Sequence, residues 1–354
     1  MARENAVLIG VATAVPPYEL DQREVTARAH GIFGGRFADF ERMARVFGTA
    51  GIRRRWAARP LAWYDEPGGW PERTAAYLEA GEALFAEAAE RVLSKAGFTG
   101  RDVDTVVTIS STGIATPSLE ARAARRLGLR PETSRVPVFG LGCAGGVTGL
   151  GLAARLAEAR PGSLVLVVAM ELCTLAFRND ALSKANIVAT ALFGDGAAAA
   201  LVRAGGGDSG VAVIEGSGEH QWPDTLDIMG WDAEAEGLGV IFARAIPPFA
   251  EENFAGAMDA ILARLGLRRD EVGRFVCHPG GAKVIEALER ALGLDQGSLD
   301  HEREVLADNG NMSAPTALFV LQRALDAGLS GRAVLTAMGP GFTASAVSLI
   351  AGRA

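Results

Sequence analysis

A cysteine on a glycine-rich turn is the residue of this sequence best suited to nucleophilic chemistry. Cys143 lies in the run GLGCAGGVT, residues 140–148, which places four glycines around it. The β-branched and aromatic residues 136–139 before the turn are typical of a strand, and the apolar residues from Leu150 onward recur at helical spacing. A thiol at the start of a helix lies near the positive end of the helix dipole, which favours the thiolate. The pattern predicts a cysteine nucleophile for acyl transfer, beside glycines that let a substrate carbonyl approach backbone N–H groups.

Two other interpretations of this turn remain open at the level of the sequence. A cysteine is often no more than a small buried apolar side chain. The spacing G-x-G-x-x-G over residues 140–145 also matches a dinucleotide-binding turn, because it follows a strand, begins a helix and precedes a second strand that ends at Glu171. That interpretation predicts a nicotinamide-dependent dehydrogenase, whereas a cysteine nucleophile predicts an acyltransferase.

Two polar residues in the second half of the chain could stabilise a developing negative charge. His278 follows the short apolar run 275–277 and begins a Pro-Gly-Gly turn, and Asn311 lies just ahead of a helical run at residues 317–327. Side chains at the edges of regular elements can donate hydrogen bonds to one oxyanion. A lone histidine is more often structural than catalytic, but a cysteine, a histidine and an asparagine on three such turns predict one active site.

Five motifs of the chain resemble those of the type III polyketide synthases, the chalcone synthase-like branch of the thiolase superfamily. They are GCAGG around Cys143, ALFGDGAAA at residues 191–199, HPGG at residues 278–281, GNMS at residues 310–313 and GPGFT at residues 339–343. The match spans nearly the whole chain, and the motifs occur in the family's order. The resemblance implies an α/β protein with the thiolase-like five-layer αβαβα fold, built from two similar βα-rich halves. The shorter nucleophile loop and the short chain favour a bacterial member.

The resemblance also implies roles for the three candidate catalytic residues and for the residues around them. Cys143 would be the nucleophile, and His278 and Asn311 would stabilise an enolate oxygen. Cavity and gatekeeper positions of the family fall on Thr112, Cys173, Ala176, Phe193, Gly230, Phe242, Ser313 and Met338. Positions that bind coenzyme A in the family fall in the region of Arg53, Arg54 and Arg55 and on Gly280 and Gly281.

The activity that the resemblance implies is that of an acyltransferase dependent on malonyl-coenzyme A (malonyl-CoA). It would load an acyl-CoA starter on Cys143, extend it by decarboxylative condensation and cyclise the product to an alkylpyrone or alkylresorcinol, with no metal or redox cofactor. Small side chains at Ala176, Gly230 and Ser313 favour a medium- or long-chain fatty acyl starter, since they could open an apolar slot behind the nucleophile. An initiating β-ketoacyl synthase that condenses once is the closest alternative, followed by the dehydrogenase and a catalytically inactive binding protein.

The hydropathy pattern predicts alternating strands and helices that would position these residues. Predicted strands cover residues 6–11, 103–110, 136–139, 164–170, 197–202, 211–215, 275–278, 333–337 and 346–351, and predicted helices cover 73–96, 119–127, 249–265, 282–292 and 314–327. The order restarts after the glycines at 205–207, which predicts an N-terminal half, 1–205, with the nucleophile and a C-terminal half, 206–354, with the histidine and the asparagine. The polar segment 215–239 is expected to be a surface excursion, and Asp195 is expected to hydrogen-bond its own loop.

The composition fits a large packed α/β core rather than a nucleic-acid or membrane protein. Of the 354 residues, 49% are apolar and only 6% are aromatic, and the formal net charge is −7. No basic surplus points to nucleic acid, and no run approaches the ~20 apolar residues of a membrane span. Three distant cysteines predict neither a disulfide framework nor a zinc site, so thiol chemistry is expected in a reducing, cytoplasmic setting. CoA thioesters are the expected partners, and the resemblance implies a homodimer.

Overall fold

The computed structural model of the protein describes residues 5–66, 68–205 and 210–352. The described residues form thirteen strands and eleven helices. The strands are β1 (Val7–Ala14), β2 (Tyr18–Asp21), β3 (Arg54–Ala57), β4 (Val103–Ile109), β5 (Ser134–Val138), β6 (Leu164–Leu172), β7 (Asp195–Arg203), β8 (Ala212–Gln221), β9 (Met229–Glu234), β10 (Gly237–Phe242), β11 (Arg274–Cys277), β12 (Gly331–Gly339) and β13 (Thr343–Ala351). The helices are α1 (Gln22–Phe33), α2 (Phe40–Met43), α3 (Arg45–Thr49), α4 (Trp70–Ala96), α5 (Leu119–Leu127), α6 (Gly145–Ala159), α7 (Lys184–Leu192), α8 (Ile246–Arg264), α9 (Ala282–Leu292), α10 (Asp300–Asn309) and α11 (Thr316–Asp326).

Nine of the strands form one mixed sheet in the order β11-β12-β13-β8-β1-β7-β6-β4-β5. β4 runs parallel to β5 and β6, and β11 runs parallel to β12, whereas the other neighbours are antiparallel. β1 and β8 are joined by only two residue pairs, Val7 with Val213 and Leu8 with Ala212. The sheet therefore consists of an N-terminal half, β5-β4-β6-β7-β1, and a C-terminal half, β8-β13-β12-β11, with a narrow junction between them.

Groups of buried apolar side chains place helices on both outer faces of the sheet and between its halves. α4 and α5 pack on the N-terminal half, where Phe85 is buried with residues of β6 and β7. α8 and α9 pack on the C-terminal half, where Phe254 is buried with residues of β12 and β13. α6 and α11 lie between the halves, since Leu150 and Leu318 share one cluster with residues of both β6 and β13. These contacts confirm the α/β class and its five layers.

The predicted strands and helices are all present, with small shifts at their ends. The main difference lies in the polar segment 215–239, which lies mostly at the surface, as expected, but forms strands that the sequence did not predict. Residues 216–221 continue β8 and pair with β13, and β9 and β10 form a separate two-stranded sheet. Backbone hydrogen bonds hold these strands together. Their side chains do not alternate between polar and apolar, so the sequence pattern does not indicate strands.

The predicted boundary between the two halves of the chain falls at residues 205 and 206, and residues 206–209 lie outside the described residues. The division at this point stays a prediction. Within the described ranges, none of the helices combines the length and the hydropathy that a membrane crossing needs.

Candidate active site

The turn that carries Cys143 is a short 3-10 segment, residues 142–144, directly before α6. Gly142 has a φ of +47°, a conformation that residues with a side chain rarely adopt. A Cβ atom on Gly142 would lie 2.6 Å from Cδ of Pro340, and one on Gly145 would lie 2.6 Å from Cγ2 of Ile109. Both glycines are therefore required by close packing within the protein, whatever the turn binds.

The three candidate catalytic residues converge in one cavity, which we call the catalytic cavity. Cys143, His278 and Asn311 are all buried, with 5%, 5% and 1% of their surfaces exposed. Apolar side chains form much of the remaining wall: Met229, Phe242, Ile246, Phe254, Val284, Leu288 and Met338. Electrostatic interactions are stronger in such a water-poor site than in solution.

The ends of two C-terminal elements position the candidate oxyanion donors. His278 directly follows β11, and its backbone N–H donates a 2.8 Å hydrogen bond to the carbonyl of Thr336. Asn311 follows α10, and its Oδ1 accepts a 2.8 Å hydrogen bond from the backbone N–H of Ser313. Its Nδ2 donates to the carbonyl of Gly280 at 3.3 Å. These bonds fix the orientation of the amide in the catalytic cavity.

Burial opposes charge on both members of the cysteine–histidine pair. Burial raises the pKa of the Cys143 thiol to about 11, although hydrogen bonds with Ser313 and Asn311 act to lower it. Burial lowers the pKa of His278 to about 3, and neither ring nitrogen has a hydrogen-bond partner among the described residues. The thiolate predicted from the helix start is therefore not the form that burial favours here; the thiol and the neutral imidazole are.

A buried carboxyl group for which the sequence predicted no role acts on the nucleophile. Glu171 on β6 accepts hydrogen bonds from the backbone N–H of Ser111 at 2.9 Å and from the hydroxyl of Thr112 at 2.7 Å. Burial raises the pKa of Glu171 to about 7, against these hydrogen bonds. A negative charge on Glu171 raises the pKa of Cys143. Thr112, predicted to be a cavity residue, is thus a hydrogen-bond partner of this carboxylate. The sequence signal that could have indicated a role for Glu171 was an acid at the end of an apolar strand.

Asp195 has partners outside its own loop, which corrects the expectation from the sequence. Its carboxylate accepts hydrogen bonds from the backbone N–H of Thr174 at 2.8 Å, from the hydroxyl of Thr174 at 2.6 Å and from the backbone N–H of Ala58 at 2.7 Å. Burial raises the pKa of Asp195 to about 7. The loop prediction failed because the side chain points into the core, where these two segments meet it.

Three aromatic rings separate the catalytic cavity from a second cavity. Phe193 meets Phe242 edge-on and lies beside Trp231, with ring centroids 6.1 Å apart in both pairs. Phe242 lines the catalytic cavity, whereas Phe193 and Trp231 line the second one. This second space, which we call the apolar cavity, is partly open to solvent. Its walls include Leu20, Val25, Ala29, Ile32, Leu61, Tyr64, Cys173, Ala176, Phe177, Ala189 and Val240.

The cavity residues predicted from the sequence divide between these two spaces. Met338 lines the catalytic cavity, and Cys173 and Ala176 line the apolar cavity. Ser313 and Gly230 are not among the residues that line the apolar cavity. Gly230 is paired within the β9–β10 hairpin instead. Of the three small residues predicted to open a slot, the structure brings only Ala176 to it.

A groove with basic side chains adjoins the catalytic cavity, and we call it the basic groove. Its basic residues are Arg42, Arg45, Lys184, Arg244 and Lys283, and Gly280 and Gly281 form part of its wall. Phe242 and Ile246 line both the groove and the catalytic cavity, so the two spaces are neighbours. Guanidinium and ammonium groups in this position suit the phosphates of coenzyme A.

The arginine triplet predicted to bind coenzyme A lies elsewhere. Arg53 forms ion pairs with Glu304 and Asp308 at 2.9 and 3.1 Å, and Arg54 lies 3.6 Å from Asp308. Arg55 is buried. None of the three is among the residues that line the basic groove. Arg53 and Arg54 lie beside acids of α10, and coenzyme A binding by the triplet stays a prediction.

Family models and sequence relatives agree on one family. The chain matches the model for chalcone and stilbene synthases, N-terminal domain, over residues 68–206, and the model for the C-terminal domain over residues 217–351. A 1,3,6,8-tetrahydroxynaphthalene synthase of Streptomyces peucetius subsp. caesius is 40% identical over 352 residues, which cover 96% of this chain and 91% of that protein. A putative chalcone synthase of Bacillus subtilis is 34% identical, with 96% of each chain covered.

A solved structure agrees with the sequence relatives. The crystal structure of 1,3,6,8-tetrahydroxynaphthalene synthase from Streptomyces coelicolor A3(2), described as a bacterial type III polyketide synthase, aligns with a TM-score of 0.92. The alignment covers 98% of this chain and 100% of that chain at 26% sequence identity. The five-layer arrangement is therefore shared along the whole length of both chains.

Proposed function

Since this chain belongs to the chalcone and stilbene synthase family, as a type III polyketide synthase of the bacterial type, we propose that it extends a fatty acyl starter. It is an acyltransferase that uses malonyl-CoA. The proposed products are alkylpyrones or alkylresorcinols, made by cyclisation of the extended chain. The observation that carries the proposal is the meeting of Cys143, His278 and Asn311 in one cavity, between a basic groove and an apolar cavity.

Acyl loading begins when Sγ of Cys143 attacks the thioester carbonyl of the starter. His278 takes the thiol proton as the carbon–sulfur bond forms and returns it to the departing coenzyme A thiolate. Burial opposes each charge alone, but a thiolate and an imidazolium that form together compensate each other. We therefore propose that substrate binding brings Sγ of Cys143 to a ring nitrogen of His278, and that the two groups ionise together. All three cysteines of the chain are free. Because the nucleophile must stay reduced, we place the reaction in the cytoplasm.

Extension begins when malonyl-CoA enters through the basic groove. Its carboxylate leaves as carbon dioxide, and the electron pair of the broken bond forms an enolate. The N–H groups of His278 and Asn311 donate hydrogen bonds to the enolate oxygen. The enolate carbon then attacks the acyl group on Cys143, whose thiolate departs and takes a proton from solvent before the next loading. This cycle uses CoA thioesters alone, without a metal or redox cofactor.

The apolar cavity supports a fatty acyl starter, because its walls are mainly aliphatic and aromatic. Phe193 and Trp231 would have to turn aside to let an acyl chain pass from the nucleophile into it. Each methylene buried there favours binding by ~0.8 kcal/mol, or about fourfold in kcat/KM. Longer chains should therefore be used better until the cavity is full.

A second candidate is a synthase that starts from malonyl-CoA and makes a tetrahydroxynaphthalene. It is favoured by the 40% identity to a protein of that name. In that case no fatty acyl group occupies the apolar cavity. The two candidates differ in whether activity depends on the length of an added acyl-CoA.

The test is a series of starters from acetyl-CoA to palmitoyl-CoA with malonyl-CoA, with products identified by mass spectrometry. The series is repeated with Ala176→Leu, which fills the apolar cavity, and with Ala80→Leu as a control in the outer layer on α4. We expect a fatty acyl optimum that moves to shorter chains in Ala176→Leu alone. An optimum that stays in place, or malonyl-CoA outperforming every fatty acyl starter, would contradict the proposed starter.

A further inference from the structure

Arg55 is a buried arginine beneath the active site, and the catalytic cycle described above does not use it. It lies on β3 with 2% of its surface exposed, and its Nη1 donates a 2.6 Å hydrogen bond to the backbone carbonyl of Phe193. The carboxylate of Asp195 favours the charge on Arg55, against the effect of burial. Burying a guanidinium is unfavourable unless it is paired and hydrogen-bonded, so these contacts fix the side chain.

The residue that Arg55 holds is joined to the candidate catalytic asparagine. Phe193 and Asn311 form an isolated parallel β-bridge. The N–H of Gly194 donates to the carbonyl of Asn311 at 3.0 Å, and the N–H of Asn311 donates to the carbonyl of Leu192 at 2.8 Å. These bonds use one edge of the backbone at residues 192–194, and Arg55 binds the carbonyl that points to the other edge.

The stem of Arg55 packs against the backbone of both bridged segments. A Cβ atom on Gly310 would lie 2.8 Å from Cγ and Cδ of Arg55, and one on Gly194 would lie 3.4 Å from its Cβ. Gly310 has a φ of +69°, so glycine lets the chain turn from α10 into Asn311 at this point. The arginine stem thus supports both sides of the bridge.

From these contacts we infer that Arg55 is a positioning residue, which holds the bridge between Phe193 and Asn311 so that the asparagine amide keeps its place in the catalytic cavity. Arg55 lines the apolar cavity but not the catalytic cavity, so its effect on the asparagine amide passes through the bridge. The inference rests on the proposed role of Asn311 in stabilising the enolate from malonyl-CoA. Acyl loading uses Cys143 and His278, so the two half-reactions should respond differently to loss of the arginine.

The test compares Arg55→Met with the control Arg303→Met. Arg303 donates hydrogen bonds of 2.6 and 2.7 Å to Glu289, whose side chain is fully buried, so each substitution removes a guanidinium whose charge favours that of a buried acid. Arg55→Met should lower kcat for malonyl-CoA decarboxylation by about 10- to 100-fold, since misplacing a reacting group by ~1 Å can cost about 100-fold. Its KM and the acyl transfer from acetyl-CoA, whose short acyl group does not reach the apolar cavity, should stay unchanged when followed by intact mass. The control should leave both steps unchanged.

Hydrogen–deuterium exchange gives a second readout that does not depend on activity. Peptides that cover residues 189–196 and 309–313 should exchange faster in Arg55→Met, at the bridge amides, and at the wild-type rate in the control. If Arg55→Met does not fold, the double variant Arg55→Met, Asp195→Asn also removes the buried charge of Asp195 and is measured in the same way.

Unchanged exchange at the bridge, or equal losses of decarboxylation and acyl transfer, would overturn the positioning role. If the wild-type protein does not decarboxylate malonyl-CoA but the bridge amides still exchange faster in Arg55→Met, the proposed function alone is contradicted.

Discussion

At the candidate nucleophile, burial and hydrogen bonding act on the thiol in opposite directions. Burial raises the pKa of Cys143, and hydrogen bonds with Ser313 and Asn311 lower it. The sequence predicted a thiolate because the start of a helix can be read from residue types, whereas the burial that opposes the charge comes from residues far along the chain. The charge on Glu171 adds a further contribution that raises the pKa.

Glu171→Gln should lower the pKa of the Cys143 thiol, because it removes that negative charge. The amide oxygen can still accept the hydrogen bond from Ser111. Burial raises the pKa of Glu171 to about 7, so the wild-type carboxyl group is protonated in acid and charged in base. Below about pH 6 the variant should therefore match the wild type, and above about pH 8 its cysteine should react faster. Alkylation by iodoacetamide across this range, followed by intact mass, is the measurement.

Cys143→Ser in both backgrounds serves as the control for Glu171→Gln, since it reveals any alkylation at Cys173 or Cys277. Equal alkylation rates in base would show that the charge of Glu171 does not act on the nucleophile. A wild type that reacts faster than the variant would reverse the sign of the effect and contradict the assignment.

At the scale of elements, the catalytic turns could be predicted because their signals are local. Cys143 begins a helix after a glycine turn, and His278 ends a strand before a Pro-Gly-Gly turn, as the sequence indicated. The β9–β10 hairpin gave no such signal, since its turn residues, Ala235 and Glu236, are not those typical of a tight hairpin. The contact of Trp231 with Phe193, which closes the apolar cavity, therefore could not be predicted.

The basic groove could not be predicted because its charges come from separate elements. Arg42 lies on α2, Arg45 on α3, Lys184 on α7 and Lys283 on α9, and Arg244 lies just before α8. The four basic residues that lie on helices are each on a different helix. The triplet at residues 53–55 is the densest basic cluster in the sequence, but its partners are acids of α10 and groups in the core.

The double variant Arg45→Ala, Lys283→Ala should raise KM for malonyl-CoA by about tenfold, or about 1.4 kcal/mol, because two phosphate contacts are lost. Arg53→Ala should leave KM unchanged, since its partners are Glu304 and Asp308. Steady-state kinetics at low and high salt are the measurement, and salt should reduce the difference. A larger rise in KM for Arg53→Ala would return coenzyme A binding to the triplet.

At the scale of the whole molecule, the active site forms where the two halves of the fold meet. Cys143 comes from the N-terminal half, and His278 and Asn311 come from the C-terminal half. The family resemblance predicted that the three residues share one site between the halves, because the residue types alone indicated only three separate turns. The five layers bring the turns together, and neither half contains a complete site.

β5 is the end of the nine-stranded sheet, and within the described residues it pairs only with β4. Phe139, directly after it, is 64% exposed. A free strand edge next to an exposed aromatic ring suits pairing with a second copy of this chain. We therefore predict a homodimer, which light scattering would measure as about twice the chain mass of 36.9 kDa.

Phe139→Asp should weaken this dimer, because it places a charge beside the pairing edge. Leu226→Asp is the matched control, since Leu226 is 76% exposed and lies in the loop before β9. A monomeric wild type would contradict the dimer, and equal effects of the two variants would contradict its location at β5.

The covalent acyl intermediate on Cys143 tests the central claim most directly. The protein and its Cys143→Ala variant are each mixed with decanoyl-CoA, and intact mass spectrometry follows the protein before and after malonyl-CoA is added. The wild type should gain one decanoyl group on Cys143 and release it as an extended product once malonyl-CoA is present, while the folded variant gains no acyl group and forms no product. A variant that is acylated or makes product like the wild type would contradict the account.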